Sequence, residues 1–291
     1  MLTTKAMGVS GANTSQKFPG IGAIVNRELG PRKKGMPGYA AIPYASSIGL
    51  NPGYFGGGIL GANHNPFATG GNPNLDNFKV RNLNLAKGLS LERLEERREL
   101  REHFDEFHRD LDQKGIADSM DRFHREAFEF VVGATARRAF DIGKEDPRLR
   151  DQYGRDPWGQ STLLARRLVE AGSTFVTVHF GGWDHHWNLK AGMERYLPKV
   201  DSAVSTLFRD LDDRGLLETT LVVLCGEFSR TPKMNDGGNG GPPLSKGTPG
   251  RDHWGNAMFC LLGGGGVKGG QIVGSTDRLG ERPKTRAVTP S

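Results

Sequence analysis

The sequence predicts an α/β protein whose strands run mostly parallel, with helices packed on the faces of the sheet. The first observation is that helix-period and strand-period segments alternate through residues 151–291. Such alternation implies crossover connections and therefore parallel strands. The second observation is that the apolar strands end at glycines followed by acids and histidines, and open α/β sheets bind ligands at that edge. We therefore expect a functional site at the strand ends.

Residues 1–88 form a loop-rich portion that we assign to the same domain, because Gly and Pro recur every few positions. Within it, apolar spacing predicts a short helix over residues 20–29 and a short strand over 39–43. The glycine-rich run at 51–67 resembles a phosphate-binding loop only superficially, because it lacks the Lys-Ser/Thr ending and the following amphipathic helix. A surface loop is the better interpretation.

Residues 89–150 predict a helical hairpin inserted between the two other portions. Ser90 is a plausible N-cap, and Gly115 ends the first helix. Apolar side chains recur at intervals of three and four residues along both helices. They are Leu100, Phe104, Phe107 and Leu111 in the first helix, and Phe123, Ala127, Phe130 and Ala134 in the second.

Residues 151–291 predict the α/β core that carries the site. Its predicted elements are helices over residues 161–171 and 189–214 and strands over 174–180, 220–225, 257–262 and 271–273. Cys225 and Cys260 each lie within one of these apolar strands, and neither belongs to a C-x-x-C pattern. We therefore expect two buried free thiols that pack as small apolar groups.

The candidate metal ligands follow these strands. The run at 176–188 is rich in β-branched residues, stops at two glycines and then supplies Asp184 and His186. Their spacing of two points both side chains the same way on an extended segment. The later strand ends and the loops between them add Glu227, Asp252 and His253, and such ligand types suit Zn, Mn or similar divalent ions. The alternative is a polar strand exit in which Asp184 caps the next helix.

Further side chains border this candidate site. Arg230 either pairs with an anionic substrate oxygen or only with Glu227. The hydroxyls of Ser229 and Thr231 are near the acid, but no base can be assigned to either. Three tryptophans flank the ligands, and they serve as packing residues or as a stacking wall for a sugar or other ring substrate: Trp183, Trp187 and Trp254.

The charge distribution and the lack of long apolar runs argue against a nucleic-acid partner and against a membrane-spanning segment. The net charge is +6 and the isoelectric point is near 9.4, but basic and acidic residues are interleaved, as in residues 93–101. A surface that follows nucleic-acid phosphates should carry one sign of charge, so we expect no nucleic-acid partner. No apolar run approaches the roughly 18 residues of a membrane span, and no signal peptide opens the sequence.

Four motifs, in order and spacing, resemble a large bacterial family of unassigned function within the alkaline phosphatase and sulfatase-like superfamily. They are Gly-Gly-Trp-Asp-His-His (181–186), Gly-Glu-Phe-Ser-Arg-Thr-Pro (226–232), Gly-Arg-Asp-His-Trp (250–254) and the glycine-rich segment 264–274. Residues 18–29 and 153–161 also look like that family, so the resemblance covers nearly the whole chain.

The resemblance implies an alkaline phosphatase-like α/β/α sandwich that binds one or two divalent metals, such as Zn, Mn or Ca. It implies hydrolysis of phosphate or sulfate esters, with a small anionic ester or a sulfated or phosphorylated glycan as substrate, and a periplasmic or exported location. By position, Asp184 and His186 resemble the Asp/His pair of one metal, and His253 resembles the last histidine. Glu227 stands where the superfamily usually has an Asp followed by His.

The sequence departs from that pattern in two ways. Phe228 replaces the following His, which puts a full two-metal site in doubt. The chain also begins and ends at points that look internal to the family domain, so we expect a fragment that lacks the N-terminal part of the sandwich. These departures leave open a second hypothesis, that of a non-catalytic cell-envelope binding protein with the same fold.

Overall fold

The computed structural model describes residues 18–46, 52–80, 83, 133–237 and 246–288. The chain divides into two compact units. We call them the sheet unit (residues 7–146 and 164–179) and the site unit (1–6, 147–163 and 180–291). The predicted helical hairpin falls almost entirely outside the described residues, so it and the three-part division of the chain stay predictions.

The secondary structure of the described residues is mixed. The five α-helices, α1 to α5, are Ile21–Leu29, Ala134–Phe140, Pro147–Tyr153, Pro157–Ala171 and Leu189–Asp213. The nine strands in the same part of the chain, β1 to β9, are Tyr39–Ile42, Phe67–Ala68, Phe175–Val178, Val222–Cys225, Ser229–Arg230, His253–Trp254, Cys260–Gly263, Ser275–Thr276 and Pro283–Thr285. These elements confirm the α/β class, and α1, β1, β3 and α5 lie within a few residues of their predicted positions.

The sheet unit contains a parallel sheet of three strands in the order β2-β1-β3. All four residues of the central strand β1 are buried, as expected for a strand with neighbours on both sides and an apolar sequence. Helix α1 approaches this sheet closely at Gly22, where a Cβ atom would lie 2.5 Å from the ring of Tyr39. Tyr39 in turn packs edge-to-face on Phe175, with ring centroids 5.1 Å apart.

The sheet unit also contains a buried charged cluster, which we call the arginine cluster. Arg166 donates to Glu145 at 2.6 Å and to Glu170 at 2.5 Å, and Arg167 donates to the same Glu145 oxygen at 2.7 Å. The side chains of Arg166 and Glu145 are only 1% and 11% exposed. Burial acts to raise the pKa of Glu145, but the hydrogen bonds and positive charges of Arg167 and Arg166 outweigh it and lower that pKa.

Helix α4 begins four residues before the predicted start at Ser161, for a local reason. The Asp156 carboxylate accepts hydrogen bonds from the N–H groups of Trp158 and Gly159, at 2.9 and 3.2 Å. Pro157 takes the first helical position, where its missing N–H costs nothing. The polar sequence Asp-Pro is thus a helix start.

The site unit departs from the predicted mostly parallel arrangement. Strand β4 pairs with β7 in the antiparallel direction, and β5–β6 and β8–β9 are also antiparallel. Parallel pairing needs a crossover, commonly a helix. The described parts of the connection from β4 to β7 contain the short strands β5 and β6 and no helix. The chain therefore returns beside β4 in the opposite direction.

Two smaller predictions in the site unit are wrong. Residues 271–273 do not form a strand; the pairing begins beyond Gly274, at Ser275, and Ile272 is almost fully exposed. Cys225 and Cys260 are exposed rather than buried. Their side chains lie on the face of the β4–β7 ribbon that also carries the exposed Val223 and Leu262.

None of the helices in the described ranges combines the length and the apolar composition that a membrane crossing requires.

Candidate metal centre

Backbone pairing within the site unit brings the predicted ligands together. The short ladder of β5 and β6 places Arg230 opposite His253. The segment that carries Asp184 and His186 lies against residues 248–251 through main-chain hydrogen bonds. These bonds run from Asn188 N to Thr248 O, from Leu189 N to Pro249 O and from Arg251 N to His185 O, each 3.0 Å long.

This approach is possible because residue 250 is a glycine. A Cβ atom at Gly250 would lie 2.1 Å from the carbonyl carbon and oxygen of His186. A side chain at position 250 would therefore push the two segments apart. The glycine in the Gly-Arg-Asp-His-Trp motif is required by this close approach of two backbones.

Three ligand atoms converge in what we call the metal cluster, made of Asp184, His186 and His253. Asp184 Oδ1 lies 3.1 Å from His186 Nε2 and 2.9 Å from His253 Nε2, and the two imidazole nitrogens are 3.2 Å apart. In a tetrahedral zinc site with metal–nitrogen bonds of about 2.0–2.1 Å, neighbouring ligand atoms lie about 3.3 Å apart. The donor set and its spacing therefore fit one small divalent ion.

Asp252 orients His186 from outside this triangle. Its Oδ1 accepts the Nδ1–H of His186 at 2.8 Å and the amide of Asn235 at 3.1 Å. The oxygen of the same Asn235 side chain accepts the backbone N–H groups of Gly237 and Gly250. In the neutral imidazole, donation of the Nδ1–H to Asp252 leaves the lone pair on Nε2 of His186, which faces Asp184 and His253, as metal-binding histidines require.

Arg230 contacts the cluster directly. Its guanidinium donates to Asp184 Oδ1 at 2.5 Å and to the carbonyl of Arg251 at 3.1 Å. The hydrogen bonds from His253 and Arg230 lower the pKa of Asp184 to about 2. Asp184 is therefore ionised at neutral pH, as a metal ligand must be. Arg230 thus pairs with Asp184 and not with Glu227 in the described part of the chain, and its predicted contact with an anionic substrate oxygen stays a prediction.

The remaining predicted residues have separate places. Glu227 is exposed just after β4 and does not belong to the three-residue group found among the described residues. Trp183 packs with Trp158 and Tyr196, Trp187 stacks beside His186 at 6.4 Å, and the Trp254 indole donates to the carbonyl of Glu281. Their roles in substrate binding, and that of Glu227 in metal binding, stay predictions.

His185 lies between Asp184 and His186 in the sequence and does not belong to the cluster. Its ring stacks on Tyr196 with centroids 5.8 Å apart, and Gly192 in α5 leaves room for it. Burial lowers the pKa of His185, and the charge of Arg230 adds to this effect. The adjacent His185 and His186 thus have different surroundings, and only His186 offers a ligand atom to the cluster.

Asn235 is the functional residue that sequence reasoning missed. It lies in the Gly/Pro-rich loop after β5, where nothing local separates a structural amide from an ordinary loop residue. Its isolated bridge with Gly250, together with the side-chain bonds to Asp252 and Gly250, shows the role. The signal that identifies Asn235 is its pairing with Gly250, and the sequence alone does not show that pairing.

The fold and the site together define a mixed α/β protein with a cluster of one Asp and two His side chains whose spacing fits a divalent ion. Residues 3–291 match a family model described as "Protein of unknown function (DUF1501)", and the chain belongs to that family. Neither the search of curated proteins nor the search of solved structures found a significant match. Membership in a family of unassigned function is therefore confirmed, whereas the alkaline phosphatase and sulfatase superfamily and the expected truncation stay predictions.

Proposed function

We propose that this protein is a metal-dependent hydrolase of phosphate or sulfate esters with an alkaline phosphatase-like fold, whose metal is held by Asp184, His186 and His253. The observation that carries the proposal is the convergence of one carboxylate oxygen and two imidazole nitrogens at mutual distances of 2.9–3.2 Å. A bound divalent ion supplies Lewis-acid polarisation of an ester oxygen. Two nitrogen ligands favour Zn or Mn over Ca, which prefers oxygen ligands throughout.

The protein's own groups prepare the site for an anion. Asp252 holds the His186 ring in one tautomer and orientation. Arg230 brings a positive charge within hydrogen-bond distance of Asp184, and its fork of donors suits an ester's anionic oxygens. If Asp184 held a metal in place of its hydrogen bond from Arg230, that guanidinium N–H would be free to bind an anionic oxygen of the substrate.

A second candidate, a non-catalytic metal-dependent binding protein, has specific support. Thr231 donates its hydroxyl hydrogen to the carbonyl of Lys233 and accepts the N–H of Asp252. A hydroxyl engaged in this way is a poor nucleophile. Phe228, which lies where the superfamily has a metal-binding His, instead packs on His253 with ring centroids 4.5 Å apart.

The test of the metal site is elemental analysis of the purified chain after dialysis against Zn or Mn. We expect one ion per chain, lost in D184A and in H253A. E227A is the matched control, because it removes a predicted carboxylate that lies outside the three-residue cluster, and we expect it to keep the metal. Unchanged metal content in D184A and H253A would show that the cluster is not the binding site.

Activity is measured separately on the metal-loaded chain with aryl phosphate and aryl sulfate esters. Turnover that disappears with H253A and survives E227A supports the hydrolase. Stoichiometric metal without turnover of either ester class supports the binding protein. Both outcomes require a bound metal, and they differ only in whether the protein hydrolyses the ester.

A further inference from the structure

Cys225 and Cys260 are the only two cysteines of the sequence, and the structure places them directly opposite each other. They form the last pair of the β4–β7 ladder, after Val222↔Gly263, Val223↔Leu262 and Leu224↔Leu261. Directly opposed residues of an antiparallel pair point to the same face of the sheet. The two thiols therefore lie side by side, although their positions in the sequence are far apart.

We infer that Cys225 and Cys260 are a disulfide-forming pair that links β4 to β7 across the ribbon. Opposed residues in antiparallel strands have Cα atoms about 4.5 or 5.5 Å apart, depending on the hydrogen-bonding position. Both separations fall within the range of about 4.4–6.8 Å that disulfides span. Bond formation therefore needs side-chain rotation and no change of strand pairing.

The pair is also accessible to a redox partner. Both cysteines are exposed, and so are their neighbours Val223 and Leu262 on the same face of the ribbon. A thiolate of the pair can attack a small disulfide such as glutathione disulfide to give a mixed disulfide. The second thiolate then attacks the protein sulfur and releases glutathione. In total, two thiols lose two protons and two electrons, one S–S bond forms, and glutathione disulfide is reduced to two glutathione thiols.

The position of the bond gives it a structural consequence. Residues 226–259 connect the two cysteines, and this segment carries Arg230, Asp252 and His253. The disulfide joins the two ends of that segment and so closes it into a covalent loop. It restrains the unfolded chain and fixes the ends of the β4–β7 ladder, so it stabilises the native arrangement of the segment.

The test measures thiol–disulfide equilibrium in the full chain. Native protein is equilibrated in glutathione redox buffers, quenched with acid, alkylated in denaturant and weighed by mass spectrometry. We expect an intramolecular bridge that joins the peptides containing Cys225 and Cys260. We also expect an equilibrium constant at least about tenfold larger than for the same chain in concentrated urea, because the folded strands raise the effective thiol concentration.

The matched control moves one thiol to the other face of the same strand. In L224C/C225S the new cysteine lies one residue away, on the opposite face from Cys260. We expect no native advantage over the urea-denatured chain in this variant, and circular dichroism checks that it folds. C225S and C260S should each take up one glutathione and form no internal bridge.

Three results would overturn the inference. They are an equilibrium constant no larger in the native parent than in urea, bridges found only between two chains, or a native bridge of equal strength in L224C/C225S. None of these measurements requires metal or substrate, so the inference stands or fails independently of the proposed hydrolase activity.

Discussion

The arginine cluster and the metal cluster both hold a carboxylate whose pKa is lowered by hydrogen bonds from neighbouring side chains, yet the two carboxylates differ in exposure. In the arginine cluster, Glu145 is 11% exposed and receives two arginines. In the metal cluster, Asp184 is 68% exposed and shares its oxygen with Arg230 and two imidazoles. A lowered pKa therefore does not distinguish a structural carboxylate from a candidate ligand. The partners do, because arginine cannot bind a metal and imidazole can.

The largest expected effect is on the stability of the arginine cluster. E145A removes one partner of Arg166, which is 1% exposed and keeps its contact with Glu170, and it should cost about 3 kcal/mol of unfolding free energy in urea titration, the lower end for a broken buried ion pair. D151A is the control, because it breaks an exposed pair with Arg155 and should cost less than about 1 kcal/mol. Equal losses of unfolding free energy in E145A and D151A would show that burial does not make the Glu145 ion pairs more important than the exposed pair.

The same cluster has a defined pH dependence. Because the folded pKa of Glu145 lies below its ordinary value of 4.5, its ionisation contributes stability above that value, and the contribution is lost as pH falls through the folded pKa. The slope of stability against pH in this acidic range should be smaller in E145Q than in the parent. Parallel curves of stability against pH for E145Q and the parent would show that folding does not lower the pKa of Glu145.

An intermediate effect is expected from Asp252 in the site unit. D252N keeps the shape but weakens the acceptor for the His186 Nδ1–H, and residues in this role typically change metal affinity by about 10–100-fold. Competition with a chelating dye measures the affinity. Unfolding free energy of the metal-free protein should fall much less than in E145A, because Asp252 is only partly buried.

The smallest expected effect is an electrostatic one at Asp184. R230A in the metal-free protein should raise the pKa of Asp184 from about 2 only part of the way toward 3.8, because the hydrogen bond from His253, the larger cause, remains. Carboxyl-carbon NMR titration reads this directly, with R155A as the control. An unchanged titration curve would mean that Arg230 does not interact with Asp184 in solution.

Local patterns carried the predictions that the structure confirms. Helix α5 and strand β1 follow from periodicity within a single segment, and the spacing of two residues places the side chains of Asp184 and His186 on the same side of their segment. The errors concern partners that are distant along the chain. The antiparallel pairing of β4 with β7 and the exposure of Cys225 and Cys260 both depend on which strand lies opposite. A one-dimensional pattern holds no information on that choice.

The backbone bonds between residues 185–189 and 248–251 have a consequence for how such a protein can change. The bond to residue 249 uses peptide groups alone, so it dictates no side chain at the exposed Pro249, whereas Gly250 is fixed by contact with His186. Saturation mutagenesis should tolerate many residues at Pro249 and almost none at Gly250. The side chains of Asp184, His186 and His253 can therefore be exchanged for other residues without disturbing the backbone bonds that hold the two segments together.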